Sequence, residues 1–353
     1  MKMMSRFARK PRETFGLDIG TSAVKVVQLR EGPGGFTLIA LGSAPLPVDA
    51  IGDGTIKAPD AVAAAIRDAV ARAGITTREA VIGIAGRELI TKKVQLPEVP
   101  AKELRDAVEL EAEHHIPFAF DEVCLDYHVA GRHDGAMDLV IVAVKKSKVS
   151  EYIGVVEAAG FVPVIVDVDG FAVGNQFEVN HPETSGDAVA LIDMGAAVMK
   201  TNVVRGGAPA FARDIPFGGN QYTQAIADRL HTTFEHAERA KVGEASDIPW
   251  DSIVPALESV SRDLALEVRR TFDYFGSTSD SERIGRVVMS GGAARLRGLT
   301  EYLSSTWSIP VEVARPFERI DVDAALADEA RAAGPALAVA VGLALRRPGE
   351  RRE

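Results

Sequence analysis

Cysteine occurs once in the 353 residues, as Cys124. An intrachain disulfide and any zinc site built on cysteine pairs are therefore excluded. No apolar run approaches the ~18–20 residues that a membrane-spanning helix needs; the longest, Pro335–Leu345, is about half that and rich in alanine. A basic excess is also lacking. The 40 Lys+Arg stand against 50 Asp+Glu, a formal net charge of −10, which argues against a general binder of phosphate backbones, so no nucleic acid is expected as a partner. The opening MKMMSRFARKPRE is basic, but no apolar stretch follows it, so it is not a secretory signal. Residues 1–13 read as a flexible, solvated start whose sharper alternative is a weak attraction to anionic lipid. A cytoplasmic protein is expected. What is present, 46% hydrophobic and 25% charged residues, is ordinary for a soluble globular chain long enough for two or more compact units.

Helix and strand patterns alternate along the chain, which favours an α/β architecture. Phe15–Ile19, Val24–Leu29 and Phe36–Leu41 form a meander, and Ala58–Arg72 reads as a helix ended by Gly74. Between about 86 and 165 the chain has its own β–α–β–β–α–β rhythm, with an acidic helix at Lys102–His115 stopped by Pro117. That stretch reads as a module inserted into the first domain. Ser261–Phe275, with Leu264, Leu266, Val268 and Phe272, reads as an amphipathic helix, and the segment after Leu345 as a solvated end.

A longer-range repeat organises the whole. Leu17-Asp18-Ile19-Gly20, with Lys25 and Arg30 behind it, recurs as Ile192-Asp193-Met194-Gly195, with Lys200 and Arg205 at identical offsets. Each copy offers strand, Asp-x-Gly turn and strand. Successive N–H groups in such a turn form a concave anion site, to which Thr21 and Ser22 add hydroxyls and Lys25 a point charge. Two similar domains would face each other across a cleft, with Asp18 and Asp193 placed to hold Mg²⁺ through its waters. Two further segments suit a nucleotide. Val287–Ser290 runs into the turn Gly291-Gly292-Ala293, and Glu238 and Lys241 share one helix face, where they could hold a ribose and base.

The order Asp18-x-Gly-Thr-Ser…Lys25, Asp193-x-Gly195, Gly218-Gly219, Glu238-x-x-Lys241 and Ser290-Gly-Gly resembles the actin/DnaK/FtsA superfamily of ATP-binding proteins. More narrowly, Phe15-Gly-Leu-Asp-Ile-Gly, Glu111-Ala-Glu-His-His-Ile-Pro-Phe118, Asp126-Tyr127 and the ending Ala338–Arg346 are similar to the PilM family of type IV pilus assembly, over nearly all of residues 14–347. The resemblance implies a two-domain actin-like ATPase fold, a duplicated ribonuclease H-like α/β fold with an FtsA-type inserted subdomain, four subdomains in all. The expected division is 14–85 with 166–187 and 335–347, the insert 86–165, 188–228 with 284–334, a small helical subdomain 229–283, and a tail 348–353. It implies ATP with Mg²⁺ in the cleft. It also implies docking of the N-terminal cytoplasmic peptide of a PilN-type bitopic membrane protein, contact with other pilus machine components, recruitment to the cytoplasmic face of the inner membrane, and a capacity for oligomers or rings. Ile116 and Phe118 are the residues it suggests for the peptide groove, against the plainer reading of core packing.

The second turn departs from the superfamily pattern, with Ala196, Ala197, Val198 and Met199 where relatives often have glycine and a hydroxyl, and Thr201 next. Asp169, with Asp167 behind it, is the position the superfamily would use to orient water, and slow hydrolysis at most is expected. The alternatives are a metabolic phosphotransferase of sugar- or acetate-kinase type and an FtsA-like division protein, the latter expected to carry a C-terminal amphipathic helix. The Glu111…His114 and Glu178…His181 spacings suit di-iron bundles but sit in an α/β pattern, and Cys124 reads as a packed core thiol.

Overall fold

The computed structural model describes residues 13–52, 54–182, 187–206, 208–278 and 283–349. The basic start, apart from Glu13, and the last four residues lie outside them. Two mixed sheets carry the repeat. The first has the order Val162–Val168, Glu79–Ile84, Phe15–Ile19, Ala23–Gly32, Gly35–Pro45, Asp321–Val322, and the second Ala208–Ile215, Met199–Arg205, Ala188–Met194, Ile284–Ser290, Val311–Val313. In each, the strand bearing Asp-x-Gly is buried along its length, antiparallel to the strand that follows it and parallel to the strand on its other side. Strands covered on both faces read as near-continuous apolar runs, as Phe15–Ile19 and Ala188–Met194 do.

Helix Pro59–Ala73 covers one face of the first sheet through Val62, Ile66 and Ala69. Helix Ala338–Ala344 covers the other, all seven of its residues buried. Helix Asp169–Asn180 lies between the sheets, its Ala172, Val173 and Phe177 packing with Val81 of the first, Leu191 of the second and Leu343. The two helices cross so closely that a Cβ on Gly342 would lie 1.7 Å from the Ala172 carbonyl oxygen. Helices Gly219–Leu230, Trp250–Thr278 and Leu299–Trp307 share one core with the second sheet, so the described residues of the expected small helical subdomain 229–283 are continuous with that sheet's core. In the long helix Leu264, Val268 and Phe272 face that core and Leu266 points outward, because 264, 268 and 272 fall four apart and 266 on the opposite side.

The inserted module is a three-stranded sheet, Leu89–Pro97, Ala136–Lys145, Val123–His133, covered by helix Ala101–Ala112. It is shorter than expected. Helix Lys146–Ala158 packs through Tyr152, Val155 and Val156 on the first sheet's core, and Val162–Val168 pairs in parallel with Glu79–Ile84. The stretch around 320–334, expected with the second domain, also belongs to the first: Asp321–Val322 pairs with Thr37–Leu38, and Ala330 joins the core under Ala338–Ala344. Cys124 is exposed, a correction with a simple cause. In the edge strand Val123–His133 the odd positions from Val123 face the module's core, and Cys124 takes the other face. The segment after Leu345 does not begin as a solvated end, since Arg346 is paired with Asp167 at 2.6 Å and Arg347 lies over the Phe36 ring.

Candidate functional site

Between the two sheets lies a cavity of about 640 Å³ lined by both Asp-x-Gly turns. Each turn is built alike. Gly20 N–H donates to the Ala23 carbonyl at 3.2 Å, and Gly195 N–H to the Val198 carbonyl at 3.1 Å. The hairpin register sets Asp18 opposite Lys25 and Asp193 opposite Lys200, so the identical sequence offsets become two cross-strand ion pairs, at 2.9 Å and 3.2 Å. Thr21 and Ser22 sit at the cavity wall beside Lys25.

The two halves differ beyond that point. The carbonyls of Gly195 and Ala196 are taken by Gly219 N–H at 2.9 Å and Asn220 N–H at 2.8 Å, so the helix Gly219–Leu230 is docked against the second turn. Gly218 backs this contact, where a Cβ would lie 2.5 Å from the Ala196 oxygen; alone among the expected nucleotide residues it does not line the cavity. Thr201 is buried inside the second sheet and offers the cavity nothing.

Glu238 and Lys241 stand at another wall, on the helix Phe234–Lys241 capped by Thr233. Lys241 Nζ donates to Glu238 at 2.6 Å, to Thr223 Oγ1 at 2.8 Å and to the Gly219 carbonyl at 3.1 Å, while Thr223 also hydrogen-bonds Glu238. Burial pushes this ammonium below the usual lysine range, against the pull of Glu238. Beside it the strand Ile284–Ser290 ends in Gly291, Gly292 and Ala293, all lining the cavity. Gly291 has φ +86° and leaves a Cβ 2.3 Å from the Met194 carbonyl oxygen, so only glycine fits. Gly292 meets nothing within 4 Å, which leaves its backbone open to the cavity. Arg297 lies 5.5 Å from the Trp250 ring centroid, and both residues line the same space.

Asp169 is the first residue of its helix and is buried in the cavity wall. Its Oδ2 pairs with Lys200 at 3.1 Å, and its Oδ1 is buried without a hydrogen-bond partner. Burial pushes its carboxyl up to about 6, against the pull of Lys200. Burial alone would lower Lys200, but Asp169 and Asp193 hold it well above the usual range. Asp167, by contrast, is committed to Arg346. Lys200, Thr223 and Asp214 were not recognisable as site residues from sequence, although Lys200 occupies the same place in its repeat as Lys25. Asp214 Oδ2 accepts from Gly86 N–H at 2.6 Å.

The lining suits a nucleotide: two tight Asp-x-Gly turns, the hydroxyls of Thr21 and Ser22, Lys25, and the open backbone at Gly292. It does not suit a metal ion ligated directly by the carboxylates of Asp18 and Asp193. Each carboxylate is already ion-paired, Asp193 also accepts from Ser290 at 2.9 Å, and among the described residues no group of three or more His, Cys, Asp or Glu could hold a metal. Ile116 is buried in the module's own core, and Phe118 packs beside it under the Lys145 ammonium, 4.7 Å from the ring centroid.

Two sheets that repeat one Asp-x-Gly turn around a cleft define an actin-like ATPase fold. Solved structures agree at the level of fold. Ethanolamine utilization protein EutJ from Carboxydothermus hydrogenoformans matches with TM-score 0.59 at 17% identity, covering 96% of this chain and 90% of that one. MreB 5 of Spiroplasma citri bound to AMPPNP matches with TM-score 0.51 at 12% identity, over 95% of each chain. The family model of type IV pilus assembly protein PilM matches residues 16–348, and the chain belongs to that family. A solved PilM-PilN type IV pilus biogenesis complex is similar at TM-score 0.86 and 30% identity, over 95% of this chain and 99% of that one. Cell division protein FtsA of Staphylococcus epidermidis is 24% identical over 348 residues, 86% of this chain and 74% of that protein, a weaker likeness that favours the division reading less.

Proposed function

We propose that this chain is an ATP-binding adaptor of the type IV pilus inner-membrane assembly platform, which takes the N-terminal cytoplasmic peptide of a PilN-type membrane protein and uses ATP as a conformational switch. Among the described residues no helix is long and apolar enough to cross a membrane, so membrane attachment would come through that partner. The nucleotide occupies the cleft, its phosphates against the turns at Gly20–Ser22 and Gly195 and near Lys25, its base and ribose toward Glu238, Lys241 and Gly291–Ala293. Asp169 is our candidate for orienting water. With Lys200 on its Oδ2 it is a constrained one, and hydrolysis is at most slow.

One observation carries the switch. Strand Ala208–Ile215 of the second sheet touches the base of the inserted module twice, through Asp214 on Gly86 N–H and through Thr91 Oγ1, which donates to the Ala212 carbonyl at 3.2 Å. Gly86 has φ +115° and lies where the chain leaves the first sheet for the module. Closure of the cleft would therefore pull on the module's joint. The peptide would dock on the module near Phe118, where Val123–His133 is the outermost strand of the module's sheet and could take an extended segment alongside it.

The experiment is calorimetric titration of the full chain with that N-terminal peptide, with and without ATP. Saturable binding that changes with nucleotide supports the switch, and Asp214→Ala should make peptide affinity indifferent to ATP. Peptide binding that ignores ATP in the unmodified protein removes the switch and leaves a plain adaptor. No binding in either state rejects the adaptor reading.

A further inference from the structure

Around Asp193, one of the two carboxylates expected to hold magnesium, a cation of the chain itself is already in place. Lys200 Nζ lies 3.1 Å from Asp169 Oδ2 and 3.2 Å from Asp193 Oδ2, with its side chain 12% exposed. Asp214 is its register partner on the next strand, and Asp18 is matched by Lys25. The remaining oxygen of Asp193 is held by Ser290, and the remaining oxygen of Asp169 is buried without a partner. A magnesium ion demands near-octahedral oxygen ligands at ~2.0–2.1 Å and keeps several waters. It cannot share these two carboxylate oxygens with an ammonium already between them.

We propose that Lys200 is a resident cation of the cleft, occupying the Asp169 and Asp193 oxygens that a directly ligated divalent ion would take, so that the chain binds nucleotide without a metal site of its own. The inference rests on the nucleotide reading above and deepens it. Asp169 comes from the helix that continues the first sheet's edge strand, whereas Asp193 and Lys200 come from the second sheet. The ammonium therefore also ties the two halves together across the cleft floor. A metal ion at this place would have to displace a covalently tethered charge, which carries no loss of translational freedom on staying where it is.

The probe is Mn²⁺ alone, followed by electron paramagnetic resonance with the nucleotide-free full chain. Unmodified protein should leave Mn²⁺ free. Lys200→Met should create a Mn²⁺ site on the vacated carboxylates, and Lys200→Arg should exclude the ion again. In a second arm, ATP affinity of the unmodified protein should change less than about threefold between magnesium and EDTA buffers, whereas the Met variant should depend on magnesium by about tenfold or more. Mn²⁺ bound by the nucleotide-free unmodified protein overturns the proposal, and so does a tenfold loss of its ATP affinity in EDTA. Should Lys200→Met fail to fold, those two measurements on the unmodified protein still decide. Absence of ATP binding in both buffers would reject the nucleotide reading, and the Mn²⁺ titration would then decide this one separately.

Discussion

Gly342→Ala sets two effects of opposite sign against each other. Gly342 lies inside helix Ala338–Ala344, where replacing glycine by alanine ordinarily gains about 1 kcal/mol. Here the new Cβ would sit 1.7 Å from the Ala172 oxygen, 2.3 Å from its carbonyl carbon and 2.8 Å from its Cα. Ordinary contact begins near 3.4 Å, so the shortfall to the oxygen is 3.4 − 1.7 = 1.7 Å. All three atoms are backbone of a buried helix, and no side-chain rotation relieves the overlap. Overpacking of this kind costs about 1–3 kcal/mol, and more where backbone must move. The steric term wins, and a net loss of about 2 kcal/mol or more is expected. That corresponds to a fall of roughly 4–8 °C in the thermal midpoint for a cooperative unit of domain size.

The assay is thermal unfolding followed by circular dichroism, with Gly154→Ala as the companion. Gly154 is an exposed helical glycine with nothing within 4 Å of its would-be Cβ, so propensity acts there alone and the midpoint should rise. Because the displaced helix begins with Asp169, Gly342→Ala should also weaken nucleotide binding. A variant at 342 that melts at or above the unmodified protein would refute the reasoning, since the close crossing of the two helices would then not exist.

Gly291→Ala combines a left-handed backbone with a Cβ 2.3 Å from a carbonyl oxygen and should cost about 1–3 kcal/mol and most of the nucleotide affinity, read by unfolding and by a fluorescent ATP analogue. Gly292→Ala should leave stability within about 0.5 kcal/mol and still lower that affinity, because its methyl group would enter the cavity; equal affinities for all three proteins would remove the glycine turn from the site. Asp169 predicts a pH dependence. Its carboxyl is raised from 3.8 to about 6 in the fold, so between those values the native state holds a proton that the unfolded chain has lost. Its contribution to stability therefore falls as pH rises through that window. Asp169→Asn should become more stable relative to the unmodified protein between about pH 4 and pH 7.5, by on the order of 2 kcal/mol in urea unfolding. A constant difference across that range would show that the group is not shifted.

The repeat was legible because a tight hairpin turns a sequence offset into a spatial pair: seven residues separate Asp18 from Lys25 and Asp193 from Lys200, and both become cross-strand neighbours. Lys241 and Glu238 were legible for the same reason, three residues apart on one helix face. What sequence order could not convey was which sheet a strand would join. The pattern of Val162–Val168 suits the inserted module and the first sheet equally, and only its pairing with Glu79–Ile84 decides. Asp321–Val322 is too short to carry a period at all. Thr223 and Asp214 entered the site through contacts with residues 15 and 128 positions away, Glu238 and Gly86. Cys124 was misread because alternation in an edge strand fixes two faces without saying which is covered.

The row Asp193–Lys200–Asp214 runs across three neighbouring strands of the second sheet, one residue per strand. From the middle of the row Lys200 holds Asp169 on the cleft floor, and at one end Asp214 holds Gly86 at the foot of the module. Both grips stand on neighbouring strands of one sheet, so in the proposed switch they would move together. The Asp214–Gly86 hydrogen bond is 2.6 Å long, and such a bond weakens steeply once its atoms separate by about 1 Å more. A relative shift of the two halves too small to open the cleft visibly would thus suffice to release or seat the module. On the switch proposed above, the sensitivity of the coupling would lie in that short contact, one strand away from the ion pair that Lys200 makes with Asp169.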